Sequence, residues 1–336
     1  MDIGVIGGGS WGTALAKLLA ENGNDVLVWC HEKPLPRAIN EGHENTEYLP
    51  GFKLPNNLRA TNDLQETIAD KDMLVSVVPS HVLRSVISKI ADDIPPATPL
   101  VSATKGIEND TQMMVSDILE DVLPEHCHPY LVYLSGPSFA KEVADHKPTA
   151  VTVASFNHKL AARTQKVFSN DVFRAYTTTD VIGVEIGGAV KNVIAIAAGA
   201  VSGMELGLNS MAGMITRGLH EMSRLAVSIG ANPLTLSGLA GMGDLVLTCT
   251  GGLSRNRSVG VKLGQGHSLE EILDEMNMVA EGVKTSKSVH SLSTSLGVEM
   301  PICNKVYQVL YEGLSTQEAV SELMSRELKP ELQGLY

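Results

Sequence analysis

The sequence predicts two halves of different class, an α/β half with a mainly parallel sheet and then a half built of helices. Three observations carry this division. Short apolar strands alternate with amphipathic helical stretches as far as about residue 180. A glycine loop, Gly7-Gly8-Gly9-Ser10-Trp11-Gly12, follows the first of those strands. Past Asp180 the strand pattern stops, and a 23-residue apolar run, Val181 to Gly203, opens the second half. The expected domains are therefore 1–180 and 181–336, with no flexible linker at the join.

Size and composition agree. A chain of 336 residues suits about two ordinary cores. With 31 glycines and only 4% aromatic residues, it leans toward an α/β protein rich in tight strand-to-helix turns. The net charge of -12 and the lack of any Lys/Arg-rich run speak against a nucleic-acid partner. Cys30, Cys127, Cys249 and Cys303 form no C-x-x-C pair and read as free thiols. The neighbours His126, Cys127 and His128 cannot all point at one ion, so no metal site is expected. No secretory signal precedes the strand beginning at Ile3, which makes the cytoplasm the expected compartment.

In chain order, Ile3 to Ile6 is a strand and ends in the glycine loop. Ala14, Leu15, Leu18 and Leu19 then repeat at helical spacing until Gly23, and Val26 to Trp29 is a second strand. Gly7, Gly9 and Gly12 fit G-x-G-x-x-G in the strand-to-helix setting that a dinucleotide-binding, Rossmann-like doubly wound domain requires. Gly7 permits the turn, Gly9 lets the backbone approach a pyrophosphate, and Gly12 lets the helix lie close to the sheet. The helix N-terminus then presents free N–H groups to the phosphates. At the tip of the second strand stand Cys30 and His31, followed by Glu32, Lys33 and, further on, Arg37. No carboxylate sits squarely at the tip, and His31, Lys33 and Arg37 could instead meet a 2′-phosphate, which favours NADP(H) while Glu32 keeps NAD(H) possible. Lys33 and Arg37 read equally well as part of a solvated loop.

Further strands are expected at 73–78, 100–102, 130–134, 150–154 and 172–176, with helices between most of them. Ser80 and Asn157 are the expected N-caps of two of these helices. The carboxyl ends of such strands, where ligands of parallel sheets bind, carry Lys105-Gly106 and Ser135-Gly136-Pro137-Ser138. Beyond Asp180, helices are expected at 181–203, 211–229, 254–263, 269–276, 285–296, 302–312 and 317–323.

The run from Val181 to Gly203 is long enough to cross a bilayer, yet it holds five glycines and the pair Lys191-Asn192. A helix apolar on every side is also the centre of an all-helical domain, so no integral membrane segment is expected. A lysine buried there needs a partner or a task. Glu185, six residues away, lies about 240° around the helix and is poorly placed to pair with it. Beside a dinucleotide domain, the lysine suggests hydride-transfer chemistry. Its ammonium can stabilise the charge that builds on a ketone oxygen and deliver the proton, and in reverse its amine acts as the base. Asp244 could orient Lys191 or hold a substrate hydroxyl. Ser254 reads as an N-cap that puts Arg255 and Asn256 in a first helical turn, where an anion can bind. A capped helix with solvated arginines is the plainer alternative.

Taken in order, these motifs resemble one family. Gly7-x-Gly9-Ser10-Trp11-Gly12, Lys105-Gly106-Ile107, Gly136-Pro137-Ser138-Phe139-Ala140, Glu185-x-x-x-Ala189-x-Lys191-Asn192, Gly243-Asp244-Leu245-x-x-Thr248-Cys249 and Ser254-Arg255-Asn256 are similar to those of NAD(P)-dependent glycerol-3-phosphate dehydrogenases of the bacterial type. The likeness runs from the N-terminus to about residue 325. It implies a second domain like the C-terminal domain of 6-phosphogluconate dehydrogenase. It also implies reversible reduction of dihydroxyacetone phosphate to sn-glycerol 3-phosphate with NADP(H) or NAD(H), feeding glycerophospholipid synthesis, in a chain expected to form a homodimer. By the same resemblance Lys191 is the proton donor and acceptor. Lys105, Gly136, Ser138, Asp244, Ser254, Arg255 and Asn256 join it in binding substrate. Ser10, Trp11, His31, Tyr48, Lys105, Ala140, Arg255, Val279 and Glu281 contact the cofactor.

Three rivals remain at this point. A related two-domain dehydrogenase could act on a 3-hydroxy acid or on ketopantoate. Cys249 could serve as a nucleophile, and the chain could be a non-catalytic dinucleotide sensor.

Overall fold

The computed structural model describes residues 1–276 and 280–331. The chain divides into two compact units, Met1–Lys105 with Met114–Val181, and Gly106–Met113 with Ile182–Tyr336. The short segment Gly106–Met113, which lies within the first half of the sequence, thus belongs with the helices. There the Ser288 hydroxyl donates to the Ile107 carbonyl at 3.0 Å and also reaches Asn109.

The first unit is built on ten strands: β1 (Asp2–Ile6), β2 (Asp25–Trp29), β3 (Glu44–Asn45), β4 (Leu49–Lys53), β5 (Leu58–Thr61), β6 (Met73–Ser76), β7 (Leu100–Ser102), β8 (Leu131–Ser135), β9 (Thr149–Ala154) and β10 (Phe173–Thr178). Eight of them form one sheet in the order β10-β9-β8-β7-β6-β1-β2-β5. All neighbours are parallel except β8 and β9. β3 and β4 form a separate antiparallel pair. The helices are α1 (Ser10–Glu21), α2 (Leu35–Gly42), α3 (Leu64–Ile68), α4 (Ser80–Ile87), α5 (Val115–Val122), α6 (Ala140–Ala144) and α7 (His158–Phe168). Ile3, Val5, Val75, Val101, Val132 and Val151 are fully buried in the central strands, which is why these strands read as continuous apolar runs.

From β1 the chain proceeds outward in one direction to β2 and later returns to run the other way through β6, β7 and β8. The carboxyl end of β1 is therefore a topological switch point, the place where such sheets bind ligands. Asn157 caps α7 as expected, accepting from the N–H groups of Lys159 and Leu160 at 3.2 and 3.3 Å. Ser80 does not cap α4. Pro79 holds the extended cap geometry and Ser80 becomes the first helical residue, with no side-chain cap bond. The sequence pattern also missed β3, β4 and β5, which are two to five residues long, β4 containing Pro50 and Gly51 and β5 following Pro55.

The second unit holds α8 (Val181–Gly203), α9 (Gly207–Ser228), α10 (Pro233–Leu236), a π-helical turn at Leu239–Gly243, α11 (Asp244–Thr250), α12 (Arg255–Gly264), α13 (Leu269–Asp274), α14 (Glu281–Ser295), α15 (Pro301–Tyr311) and α16 (Thr316–Met324). α8 is its axis. By length and hydropathy this helix could span a membrane, but 94% of its apolar window is buried inside the protein.

Its glycines explain how neighbours come so close. A Cβ on Gly260 would stand 1.9 Å from the Ile196 carbonyl oxygen, and one on Gly199 would stand 2.1 Å from that of Arg257. Backbone meets backbone at this crossing, and only a hydrogen fits between. Asn192 meets Asn256, Ile196 meets Gly260, and Ala200 meets Gly264 in step, so α8 and α12 run in the same sense.

Candidate active site

In the first unit the glycine loop leaves β1 with Gly7 at φ +122°, a conformation open to glycine. A Cβ on Gly12 would lie 1.9 Å from the Gly7 carbonyl oxygen, so the first turn of α1 sits directly on the loop. At Gly9 the reverse holds: a Cβ there would meet no protein atom within 4 Å. Gly9 occupies the N-cap position of α1 and supplies no side-chain cap, leaving the helix N–H groups of Ser10, Trp11 and Gly12 without one. The indole Nε1 of Trp11 is buried without a hydrogen-bond partner. An open cradle, uncapped amides and an orphaned donor together fit a phosphate-bearing dinucleotide.

The loop is braced from the side by β3 and the residues after it. Asn45, fully buried, donates to the Gly8 carbonyl and the Thr13 hydroxyl, both at 2.8 Å. Its own side-chain oxygen accepts from the N–H of Tyr48 at 3.0 Å. Ser10 donates to the Tyr48 carbonyl at 2.6 Å. Sequence reasoning missed Asn45 because no pattern marks a buried amide in a two-residue strand. Ala140 opens α6 and packs with Trp11 around Ala14, Leu49 and Ala144.

At the tip of β2, His31 is exposed, its ring edge-on to Trp29 with centroids 6.0 Å apart. Arg37 is exposed on α2 and pairs with Glu41 at 3.1 Å. Along the same carboxyl edge of the sheet, β7 and β8 deliver the next group. Lys105 Nζ donates to the Gly136 carbonyl at 3.4 Å, and the Ser138 hydroxyl donates to that same oxygen at 3.0 Å. Gly136, at φ +136°, lies with its Cβ position only 3.0 Å from the Val151 Cα.

In the second unit Lys191 is 6% exposed and Asp244 1%. Lys191 Nζ makes a short ion pair with Asp244 Oδ1 and donates to Thr248 Oγ1 at 3.1 Å. The Thr248 hydroxyl is itself oriented, donating to the Asp244 carbonyl at 2.6 Å. Asp244, which pairs with it, stands on another helix. Gly187, one turn before Lys191 on the same face of α8, explains the alignment. A Cβ there would stand 2.3 Å from the Ala240 carbonyl, so the π turn lies against α8 and its successor Asp244 arrives beside Lys191.

Ser254 caps α12 as expected, accepting from the Arg257 N–H at 3.2 Å. This puts Arg255 and Asn256 in the first turn. Asn256 donates to the Asn192 side-chain oxygen and accepts from the Gly282 N–H, both at 2.9 Å. It therefore ties α12 to α8 and to the start of α14, where Glu281 stands. Desolvation by surrounding protein lowers the Arg255 pKa, and the Glu281 carboxylate opposes this. The second unit thus gathers Lys191, Asp244, Ser254, Arg255, Asn256 and Glu281, and the first gathers the glycine loop, Tyr48, Ala140, Lys105, Gly136 and Ser138. Val279 lies outside the described residues.

Two further findings bear on the chemistry. Cys249 is fully buried, and burial pushes its thiol up to about 12, so it has essentially no thiolate at neutral pH. Among the described residues no group of three or more His, Cys, Asp or Glu side chains could hold a metal ion.

Comparison with known proteins identifies the family. Residues 2–161 match the model for the NAD-dependent glycerol-3-phosphate dehydrogenase N-terminus, and residues 180–321 match that for its C-terminus. The chain is 54% identical over 331 residues to glycerol-3-phosphate dehydrogenase [NAD(P)+] of Myxococcus xanthus, covering 98% of this chain and 99% of that one. It is 55% identical over 329 residues to the Geobacter metallireducens protein of the same name, covering 98% of each. A crystal structure of glycerol-3-phosphate dehydrogenase from Coxiella burnetii is similar with a TM-score of 0.91 at 38% identity, covering 97% of this chain and 99% of that one. Matched in both halves and along nearly its whole length, the chain belongs to the NAD-dependent glycerol-3-phosphate dehydrogenase family.

Proposed function

We propose that this chain catalyses the reversible reduction of dihydroxyacetone phosphate to sn-glycerol 3-phosphate, with Lys191 as the group that gives and takes the proton. The single observation that carries the reading is the buried Lys191, paired with Asp244 and bonded to Thr248. The adjacent Asp244 carboxylate favours the ammonium form of the lysine, and the bonds to Asp244 and Thr248 fix where its Nζ sits. As negative charge gathers on the substrate's carbonyl oxygen, that ammonium stabilises it and passes a proton to it. Run backward, the neutral amine removes the proton from the hydroxyl of glycerol 3-phosphate.

The dinucleotide, when bound, supplies or accepts the hydride at the substrate carbon. The glycine loop, Ser10, Trp11, His31, Tyr48, Ala140 and Glu281 are the residues we assign to holding it, Val279 being assigned by resemblance alone. Lys105, Gly136, Ser138, Asp244, Ser254 and Asn256 are assigned to the substrate. Arg255 supplies a guanidinium at a helix N-terminus, suited to the substrate phosphate and to the cofactor. The product is the backbone of glycerophospholipids. A homodimer in the cytoplasm is the setting we propose, and sedimentation would test the dimer.

A cofactor-oxidation assay with dihydroxyacetone phosphate, run in parallel with NADH and NADPH, tests the reaction. Turnover with this substrate and none with 3-hydroxy acids or ketopantoate is expected. Turnover only with the latter would overturn the reading.

A further inference from the structure

The tip of β2 faces the question of which dinucleotide the first unit takes. An acidic side chain at that position accepts from the ribose 2′-OH and repels a 2′-phosphate, whereas basic groups there do the opposite. The sequence offers one acid and three bases, Glu32 against His31, Lys33 and Arg37. The structure does not treat them alike. Arg37 donates from its Nε to both carboxylate oxygens of Glu41, each at 3.1 Å, one turn along the same helix. Lys33, His31 and Glu32 itself are all exposed.

Glu32, by contrast, is fixed at both ends. Its carbonyl accepts from the Asn62 side chain at 3.1 Å, and that same amide donates to the Cys30 carbonyl at 2.7 Å. Its carboxylate accepts from the Tyr48 hydroxyl at 2.8 Å. Tyr48 is in turn pinned at its N–H by Asn45 and at its carbonyl by Ser10. Asn45 reaches on to the Gly8 carbonyl. An unbroken set of hydrogen bonds thus fixes the position of one carboxylate relative to the phosphate-binding loop. Burial and the neighbouring Glu32 push the Tyr48 phenol up to about 12, so it remains a donor at any working pH.

We propose that Glu32, held by the positioning residue Tyr48, selects a dinucleotide with a free ribose 2′-OH and disfavours its 2′-phosphorylated counterpart, making the chain NAD(H)-preferring. The inference rests on the loop's being a dinucleotide site and deepens the function proposed above. A carboxylate set against a phosphate carries a like-charge penalty large enough for about tenfold or greater discrimination.

The test is fluorescence titration of NADH and NADPH against the purified chain, without substrate, beside turnover with each cofactor. Wild type should bind NADH about tenfold or more tightly than NADPH. Glu32→Gln should bring the two affinities close together, mainly by gaining NADPH, and Glu32→Arg should reverse the order. Tyr48→Phe should lower the ratio by roughly three- to tenfold while the thermal melt shows an intact fold. A wild-type preference for NADPH, or an unchanged ratio in folded Glu32→Gln, would overturn the proposal. An unchanged ratio in Tyr48→Phe would overturn the positioning role. Binding that follows the predicted ratios without reduction of dihydroxyacetone phosphate would sink the reaction and keep the inference. Equal use of both cofactors in that reaction would do the reverse.

Discussion

The glycine loop between β1 and α1 and the lysine cluster on α8 both handle charge away from bulk water, by opposite means. The loop does so with backbone. Its helix N-terminus is uncapped, Gly9 leaves open space, and the only charge it needs is that of its ligand. The α8 cluster instead buries two full charges, Lys191 and Asp244, and must satisfy them internally. The difference is one of duty. A binding loop works best with its donors left open, whereas a proton-transfer group must be held in one place before the substrate arrives.

The comparison can be broken at several points, taken here from the largest expected effect down. Lys191→Arg keeps the positive charge beside Asp244 but replaces an ammonium by a guanidinium that does not give up its proton at working pH. Turnover should fall by about two to four powers of ten. Retention of near-wild-type turnover would make Lys191 a structural cation only. Gly260→Val would force a side chain into the crossing of α8 and α12, where the Ile196 oxygen leaves 1.9 Å. A loss of about 3 kcal/mol or more in chemical denaturation is expected, since backbone on both sides cannot give way. A silent substitution would show that the two backbones are not in contact at this crossing.

Arg255→Ala should raise the substrate KM by about ten- to a hundredfold, the worth of one charge-assisted hydrogen bond to phosphate, with a smaller change in kcat. Unchanged kinetics would place the phosphate elsewhere.

How far the sequence foretold the two regions follows from their locality. The loop's parts lie within six residues, so Gly7, Gly9 and Gly12 announce strand, turn and helix together. The lysine cluster is assembled across 53 residues between Lys191 and Asp244, and 64 between Asn192 and Asn256. The sequence could show that Lys191 lacked a good partner in Glu185. It could suggest Asp244, but only the close approach of Gly187 to the π turn makes that pairing necessary. Side chains whose work is done by tertiary contact left no pattern at all, Asn45 and Glu221 among them. Glu221 is 2% exposed in α9 and accepts from the N–H groups of Ile302 and Cys303 at 2.7 and 3.1 Å, capping α15 from another helix.

Glu221 also yields the mildest test, of a buried titratable group to which the proposed reaction assigns no role. Burial pushes its carboxyl up to about 7, and the two backbone donors and Arg224 only partly offset this. A carboxyl whose pKa is higher in the folded state keeps its proton there after the unfolded chain has lost it. Its contribution is therefore full below about 4.5 and declines as pH rises toward about 7. Relative to Glu221→Gln, wild type should be more favoured in thermal melts near about pH 5 than near about pH 8. A difference independent of pH would show that this carboxyl does not titrate in that window.

The most direct measurement is the NADH dissociation constant of Lys191→Ala, determined by fluorescence titration beside its turnover with dihydroxyacetone phosphate. If binding and proton transfer are divided between loop and helix as described, affinity should stay within about twofold of wild type while turnover drops by about two to four powers of ten. Turnover close to wild type, or a loss fully accounted for by failure to bind NADH, would contradict that division.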